Sequence, residues 1–230
     1  TTAIPLPLAI ALGCLVGIVV GALNGIVVAY LGVVPFIATL GMQYAVRGVA
    51  LVYTGGRPIN ALTTAFTNLG KGYAGPIPVP VIIFAIVALI SWFFLAKTQF
   101  GRYIYAIGGN EKAALVSGLR VKQLKFLSYV INGMTAALAG ILLAARVAVG
   151  SPTAGESYDL LAITAVVVGG TSNAGGTGGI LPSIIGVFIV TVMNNGMDLL
   201  GISGYYQKIV TGVVVLLAVI IDRNNVNRNH

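Results

Sequence analysis

The sequence predicts an all-α fold: a polytopic bundle of transmembrane helices. Three observations carry that prediction. Only 8% of the 230 residues are charged, against about 25% in a soluble domain, too few to cover a water-facing surface. The apolar residues, 57% of the chain, fall in long blocks between short polar stretches, and the mean hydropathy is +0.98. Glycine occurs 31 times, close to double the usual ~7%, and membrane helices use small residues where backbones approach closely.

Seven hydrophobic segments follow one another along the chain. The first covers about 6–30 and the second about 35–53. A loop with Pro58, Pro76, Pro78 and Pro80 leads to the third, about 80–96, and the fourth covers about 124–147. The fifth, Leu160 to Val168, has nine residues, all apolar but Thr164. These make about 14 Å of helix at 1.5 Å per residue, half of a bilayer core of about 30 Å. It reads as a short or re-entrant helix buried among the others, where irregular backbone is tolerated. The sixth covers about 180–200 and the seventh about 205–221.

The basic residues orient these segments. Lys97, Arg102, Lys112, Arg120, Lys122 and Lys125, six of the 13 in the chain, stand between the third and fourth segments beside one acid, Glu111. Arg223 and Arg228 follow the last segment. Both regions are expected in the cytoplasm by the positive-inside rule. Stretch 148–159 has two acids and no base and belongs outside; Arg57 and Lys71 in loop 54–79 are a minor counter-signal. The placements agree when the fifth segment counts as a crossing. Thr1 is then outside, so an odd number of helices is expected ahead of it if the intact N-terminus is cytoplasmic. With no initiating Met, the chain reads as a fragment of a longer protein.

Composition also excludes functions. The one cysteine, Cys14, supports neither an internal disulfide nor a thiolate metal site, and the one histidine is the terminal His230. The five acids, Glu111, Glu156, Asp159, Asp198 and Asp222, form no cluster suggesting a metal site or a carboxylate dyad. An intramembrane serine protease needs a buried Ser–His pair, which His230 does not supply. The net charge of +8 is accounted for by cytoplasmic loops, so no nucleic acid is expected. The glycine-rich run Gly169–Gly179 lacks the Lys-Ser/Thr pair of a phosphate-binding loop. It reads as a tight cytoplasmic turn, and no nucleotide hydrolysis is expected of this chain.

Four features are candidates for function. Gly13, Gly17, Gly21 and Gly25 stand four apart and form a smooth helical strip for close packing, with Asn24 beside it to hydrogen-bond across. Asn110 to Gly118 reads as a small helix: Asn110 is the N-cap, Glu111 suits the positive end of the dipole, and Gly118 suits the C′ position. Two turns are marginal in water, so this helix either docks on a surface or lies on the membrane. Gln43 and Arg47 share a face of the second segment, Asn132 lies in the fourth, and Asn194 and Asn195 lie in the sixth. Polar groups at membrane depth are candidates for a solute path or for interhelical hydrogen bonds, and uncharged amides suit a neutral, hydroxyl-rich solute. Arg146, Asp198 and Lys208 lie nearer helix ends, placed to snorkel or pair.

The run from Gly101 to Ala114 with Ser117-Gly118 resembles the cytoplasmic loop of monosaccharide ABC-transporter permeases of the ribose, xylose and arabinose type. Pro35 to Gly41, Tyr53 to Pro58, Gly169 to Ser172 with Gly175-Gly176, Asn194 to Gly196 and Tyr205 to Gln207 extend the resemblance in the family's order. It covers essentially the whole chain and lies nearest to ribose permeases. The resemblance implies a multi-pass permease of the bacterial cytoplasmic (inner) membrane with about ten helices. Residues 1–230 are then its transmembrane domain without the N-terminal helices. It implies a dimer, of identical or paralogous permeases, working with two cytoplasmic ATP-binding subunits and a periplasmic or extracellular sugar-binding protein. ATP is then held by the partner subunits, with no cofactor on this chain.

It further implies that Asn110, Glu111, Lys112, Ala113, Ala114, Ser117 and Gly118 form the coupling helix. Gln43, Asn132, Asn194 and Asn195 are the candidates for the sugar path. Leu115 and Val116 depart from the family pattern, which often has Arg and Leu there, so a contact made through that arginine is not expected. The alternative class is a proton- or ion-coupled secondary transporter or a channel for a small polar solute. It calls for coupling charges within the membrane, where Arg47 is the clearly central one.

Overall fold

The computed structural model describes residues 5–60 and 63–228. Among them lie ten α-helices: α1 (Leu6–Ala29), α2 (Pro35–Thr54), α3 (Thr64–Lys71), α4 (Val79–Lys97), α5 (Gln99–Gly109), α6 (Glu111–Val116), α7 (Val121–Val147), α8 (Tyr158–Val168), α9 (Ile180–Leu199) and α10 (Gly204–Arg228). One antiparallel ribbon joins β1 (Tyr73–Ala74) to β2 (Ile77–Pro78). Five helices, α1, α2, α4, α7 and α9, are long and apolar enough to cross a membrane. The seventh apolar segment lies in α10, whose apolar part is Gly204–Ile220. The short fifth segment is α8, whose 11 residues give about 16 Å.

Two compact units divide the chain: Thr1–Val87 with Arg120–Ala154, and Ala88–Leu119 with Gly155–His230. In the first, α1 packs on α7 through the glycine strip. Added Cβ atoms would meet Ile141 from Gly13, Gly133 and Ala137 from Gly17, Tyr129 and Val130 from Gly21, and Phe126 from Gly25. The partner numbers fall as the glycine numbers rise, so the helices run antiparallel. Gly133 answers from α7, where a Cβ would lie 2.8 Å from the Gly21 Cα. Backbone approach this close lets dispersion act along both helices. Tyr30 and Phe126 close one end edge-to-face, with ring centroids 6.1 Å apart.

Loop 54–79, expected to be irregular, holds an additional helix and the ribbon. Eight-residue α3 is too short to persist alone. It is held on α7, where Gly70 lies against the backbone of Ala145 and Arg146 and Ala145 is wholly buried. The ribbon turns at Gly75-Pro76 with Gly75 at φ +65°, the glycine-first pattern of a II′ hairpin turn. Ile59 and Gly150 exchange two backbone hydrogen bonds of 2.9 Å. This bridge ties the stretch after α2 to the stretch after α7, so both lie at the same end of the first unit.

In the second unit α8 packs on α9, again through glycine: Gly186 of α9 lies against the Ala165 carbonyl, and Gly169 at the end of α8 against Pro182 and Ser183. Thr164 of α8 is buried and satisfies its hydroxyl by donating to the Leu160 carbonyl at 2.6 Å. Large apolar side chains such as Leu15, Val19, Leu89, Phe188 and Val192 point outward, while Ala145 and Ala165 are buried. This is the distribution of helices solvated by lipid, with small residues at the contacts.

Candidate functional site

The second unit builds its most elaborate polar structure around the 110–118 helix. The preceding run, read as loop from 98 onward, is helical: α5 follows α4 after a sharp corner at Thr98. The Thr98 hydroxyl oxygen accepts from the Gly101 amide at 3.4 Å and the hydroxyl donates to the Phe94 carbonyl at 2.5 Å. Gly101 lies against the Leu95 backbone, where a side chain would collide. One apolar turn of α5 is buried through Ile107, which is why the run folds as a helix although it stands between spans.

α6 then begins at Asn110, whose backbone is extended and whose Oδ1 accepts from the Ala113 amide at 3.0 Å. Glu111 occupies the first turn, where the helix dipole favours a negative charge. The far end closes as a Schellman motif: the Leu119 amide donates to the Ala114 carbonyl at 3.1 Å, and the Gly118 amide to the Leu115 carbonyl at 3.0 Å. Gly118 is at φ +82°, a conformation that a Cβ disfavours. Ser117 Oγ donates to the Ala113 carbonyl at 2.9 Å. Ala114 is buried, whereas Lys112, Ala113 and Ser117 are exposed, Leu115 is 62% exposed and Val116 89%. Six residues are thus capped at both ends and present two bare aliphatic side chains.

The glycine-rich run 169–179 is more than a turn. Gly108, at the end of α5, meets it backbone to backbone: a Cβ on Gly108 would lie 2.5 Å from the Gly176 amide nitrogen. Gly175 and Gly176 have positive φ of +94° and +77°, so the approach demands glycine on conformational as well as steric grounds. Tyr105 donates its hydroxyl to the Gly178 carbonyl at 2.9 Å, and Thr171 and Ser183 pair their hydroxyls at 3.3 Å. The run therefore braces the α5–α6 corner. The facing pairs Gly108-Gly109 and Gly175-Gly176 were the available sequence signal; their pairing was not.

The proposed path residues fall in both units. Gln43, half-buried on α2, and Asn132, exposed on α7, belong to the first unit; Asn194 and Asn195 lie on α9 in the second. Asn194 Oδ1 is buried without a hydrogen-bond partner among the described residues. Asn24 does not make the bond expected across the glycine strip: its Oδ1 is likewise buried and unpaired among those residues. Asp198 pairs with an amide rather than a base, accepting from Gln207 Nε2 at 2.6 Å; the same nitrogen donates to the Ile202 carbonyl.

Long apolar helices, glycine-mediated packing and short non-spanning helices define a multi-pass helical membrane protein. Residues 1–219 match the family described as branched-chain amino acid transport system / permease component, and the chain belongs to that family. It is 50% identical over 202 residues to the ribose import permease protein of Bacillus subtilis (strain 168), covering 87% of this chain and 63% of that one. The ribose import permease protein of Escherichia coli (strain K12) is 48% identical over 218 residues, covering 93% and 68%. The D-allose transport system permease protein of the same strain is 40% identical over 211 residues, covering 92% and 65%. The chain thus spans about two thirds of the length of these relatives. No solved structure matches it. Family and helices together make it a multi-pass inner-membrane protein.

Proposed function

We propose that this chain is the membrane-spanning permease part of an ATP-driven importer that passes ribose or a similar monosaccharide across the inner membrane by alternating access. The observation that carries the reading is the high identity to ribose import permeases over most of the chain. Relatives named for allose and galactose favour a sugar over an amino acid. ATP is bound and hydrolysed on two separate cytoplasmic subunits, a soluble sugar-binding protein delivers the substrate, and a second permease completes the path.

In this reading α6 is the coupling helix. Its double capping makes it stiff enough to transmit a push, and exposed Leu115 and Val116 offer an apolar contact to the ATP-binding subunit. The brace from 169–179 carries the displacement into α8 and α9 as a rigid-body movement. Gln43, Asn132, Asn194 and Asn195 are proposed to line the path, where amides exchange hydrogen bonds with sugar hydroxyls.

The test is transport and sugar-stimulated ATP hydrolysis by the assembled complex carrying Glu111→Ala or Gly118→Val. Both activities are expected to fall; wild-type values for both sink the coupling role. Sugar uptake that persists without the ATP-binding subunits and collapses with the proton gradient would instead establish a secondary transporter.

A further inference from the structure

We propose that the groove at the end of α4 binds an anionic phospholipid, with Trp92 and Tyr105 flanking one acyl segment and Lys97 taking the headgroup phosphate. The groove lies within the second unit, has a volume of about 150 Å³, and is lined chiefly by Trp92, Leu95, Ala96, Tyr105, Leu181 and Pro182. A cavity of this size accepts a benzene-sized apolar molecule, so it takes a few methylenes of one chain rather than a whole lipid.

Its position fixes the depth of the occupant. Trp92, Leu95 and Ala96 are in the last turns of one span, and Leu181 and Pro182 in the first turn of another. The groove thus sits where hydrocarbon gives way to headgroups, the level that Trp and Tyr favour. On α9, exposed Leu181 and Ile185 stand one turn apart on the same face, which suits an acyl chain entering from the bilayer. The Tyr105 hydroxyl is already committed to the Gly178 carbonyl, leaving the ring to face the groove.

Charge selects the headgroup. Lys97 places its ammonium 5.9 Å from the centroid of the Trp92 ring, within cation–π range. This arrangement holds the charge at the rim while the aliphatic stem covers apolar surface. Arg102, one turn before Tyr105 on α5, is exposed and shares that side of the helix by its spacing. The residues lining the groove include no Asp or Glu; the nearest acid in sequence is Glu111, six residues beyond Tyr105, while Asp159 and Asp198 stand at the far ends of α8 and α9. The complement of the charge at Lys97 is a lipid phosphate. This inference is independent of which solute the protein carries.

Trp92 is the one tryptophan of the chain and reports on its own groove. The permease is reconstituted in phosphatidylcholine vesicles containing a minor fraction of brominated phosphatidylglycerol or, separately, brominated phosphatidylcholine. Quenching is taken as the difference from Trp92→Phe. Brominated phosphatidylglycerol is expected to quench about fivefold more effectively at equal mole fraction, the ratio contributed by about one basic side chain near an anionic surface. Lys97→Ala should abolish the preference and Lys97→Arg should keep it, while inorganic phosphate should leave the unquenched emission unchanged. Equal quenching by the two lipids, no quenching by either, a preference that survives Lys97→Ala, or a response to inorganic phosphate overturns the assignment.

Discussion

Tyr105 donates its hydroxyl to the carbonyl of Gly178 at 2.9 Å, across 73 residues of sequence. The bond links the helix preceding α6 to the run preceding α9, so a displacement of one carries the other. Tyr105→Phe removes one hydrogen bond, a loss of about 1 kcal/mol, and leaves the ring in place. Faster hydrogen–deuterium exchange is expected in peptides covering 169–179, with the exchange of α1 unchanged. Identical exchange in the two proteins counts against the brace.

The backbone contact between α1 and α7 depends on glycine at particular places. Gly17→Val drives a side chain into Gly133 and Ala137 and is expected to cost about 1–3 kcal/mol. Gly140 of α7 has open space around its Cβ position, and Gly140→Ala is expected to stabilise by up to about 1 kcal/mol through lower backbone entropy. Thermal unfolding of the purified permease in detergent distinguishes them; a similar shift for both would remove the contact-specific explanation.

The cap of α6 predicts a graded series. Asn110→Ala gives up the bond to the Ala113 amide, worth about 1 kcal/mol, in a helix with few hydrogen bonds of its own. Asn110→Asp retains an acceptor. Sugar-stimulated ATP hydrolysis by the assembled complex should fall severalfold in the first and stay near wild type in the second. Equal rates in the two variants would show that order in α6 is irrelevant to coupling.

The bridge between Ile59 and Gly150 predicts a cross-link. A Cβ on Gly150 would lie 3.7 Å from the Ile59 Cβ, inside the ~3.5–4.5 Å range of disulfides. In a Cys14→Ser background, the double variant Ile59→Cys, Gly150→Cys should form an intramolecular disulfide when intact cells are treated with a membrane-impermeant oxidant. Failure to close in detergent with a permeant oxidant refutes the bridge; closure only with the permeant oxidant refutes the external placement.

Much of the fold was legible in the chain. Hydropathy blocks locate helices because a span must be apolar over its whole length and must satisfy its backbone internally. The seven apolar segments accordingly coincide with α1, α2, α4, α7, α8, α9 and α10. Asn110, Glu111 and Gly118 announced α6 because caps and dipole effects act within one turn of the residues that cause them. The hidden elements were α3 and α5, which are neither long nor uniformly apolar. α3 exists because Gly70 permits contact with α7, and α5 because Thr98 and Gly101 allow the corner and Ile107 is buried.

The sequence by itself determined the membrane class, the helical segments, the concentration of positive charge between α4 and α7 and the capped 110–118 helix, each the outcome of local composition or neighbouring residues. Tertiary structure alone decided that the four-residue glycine strip faces Gly133 on α7, and that Gly175-Gly176 serves as a brace for Gly108 rather than a bare turn. It alone brought Trp92, Tyr105 and Leu181 around one groove and left the path candidates divided between two units. The physical reason is that glycine licenses close approach without naming the partner: a missing Cβ leaves room, and only the packed chain specifies which backbone fills it.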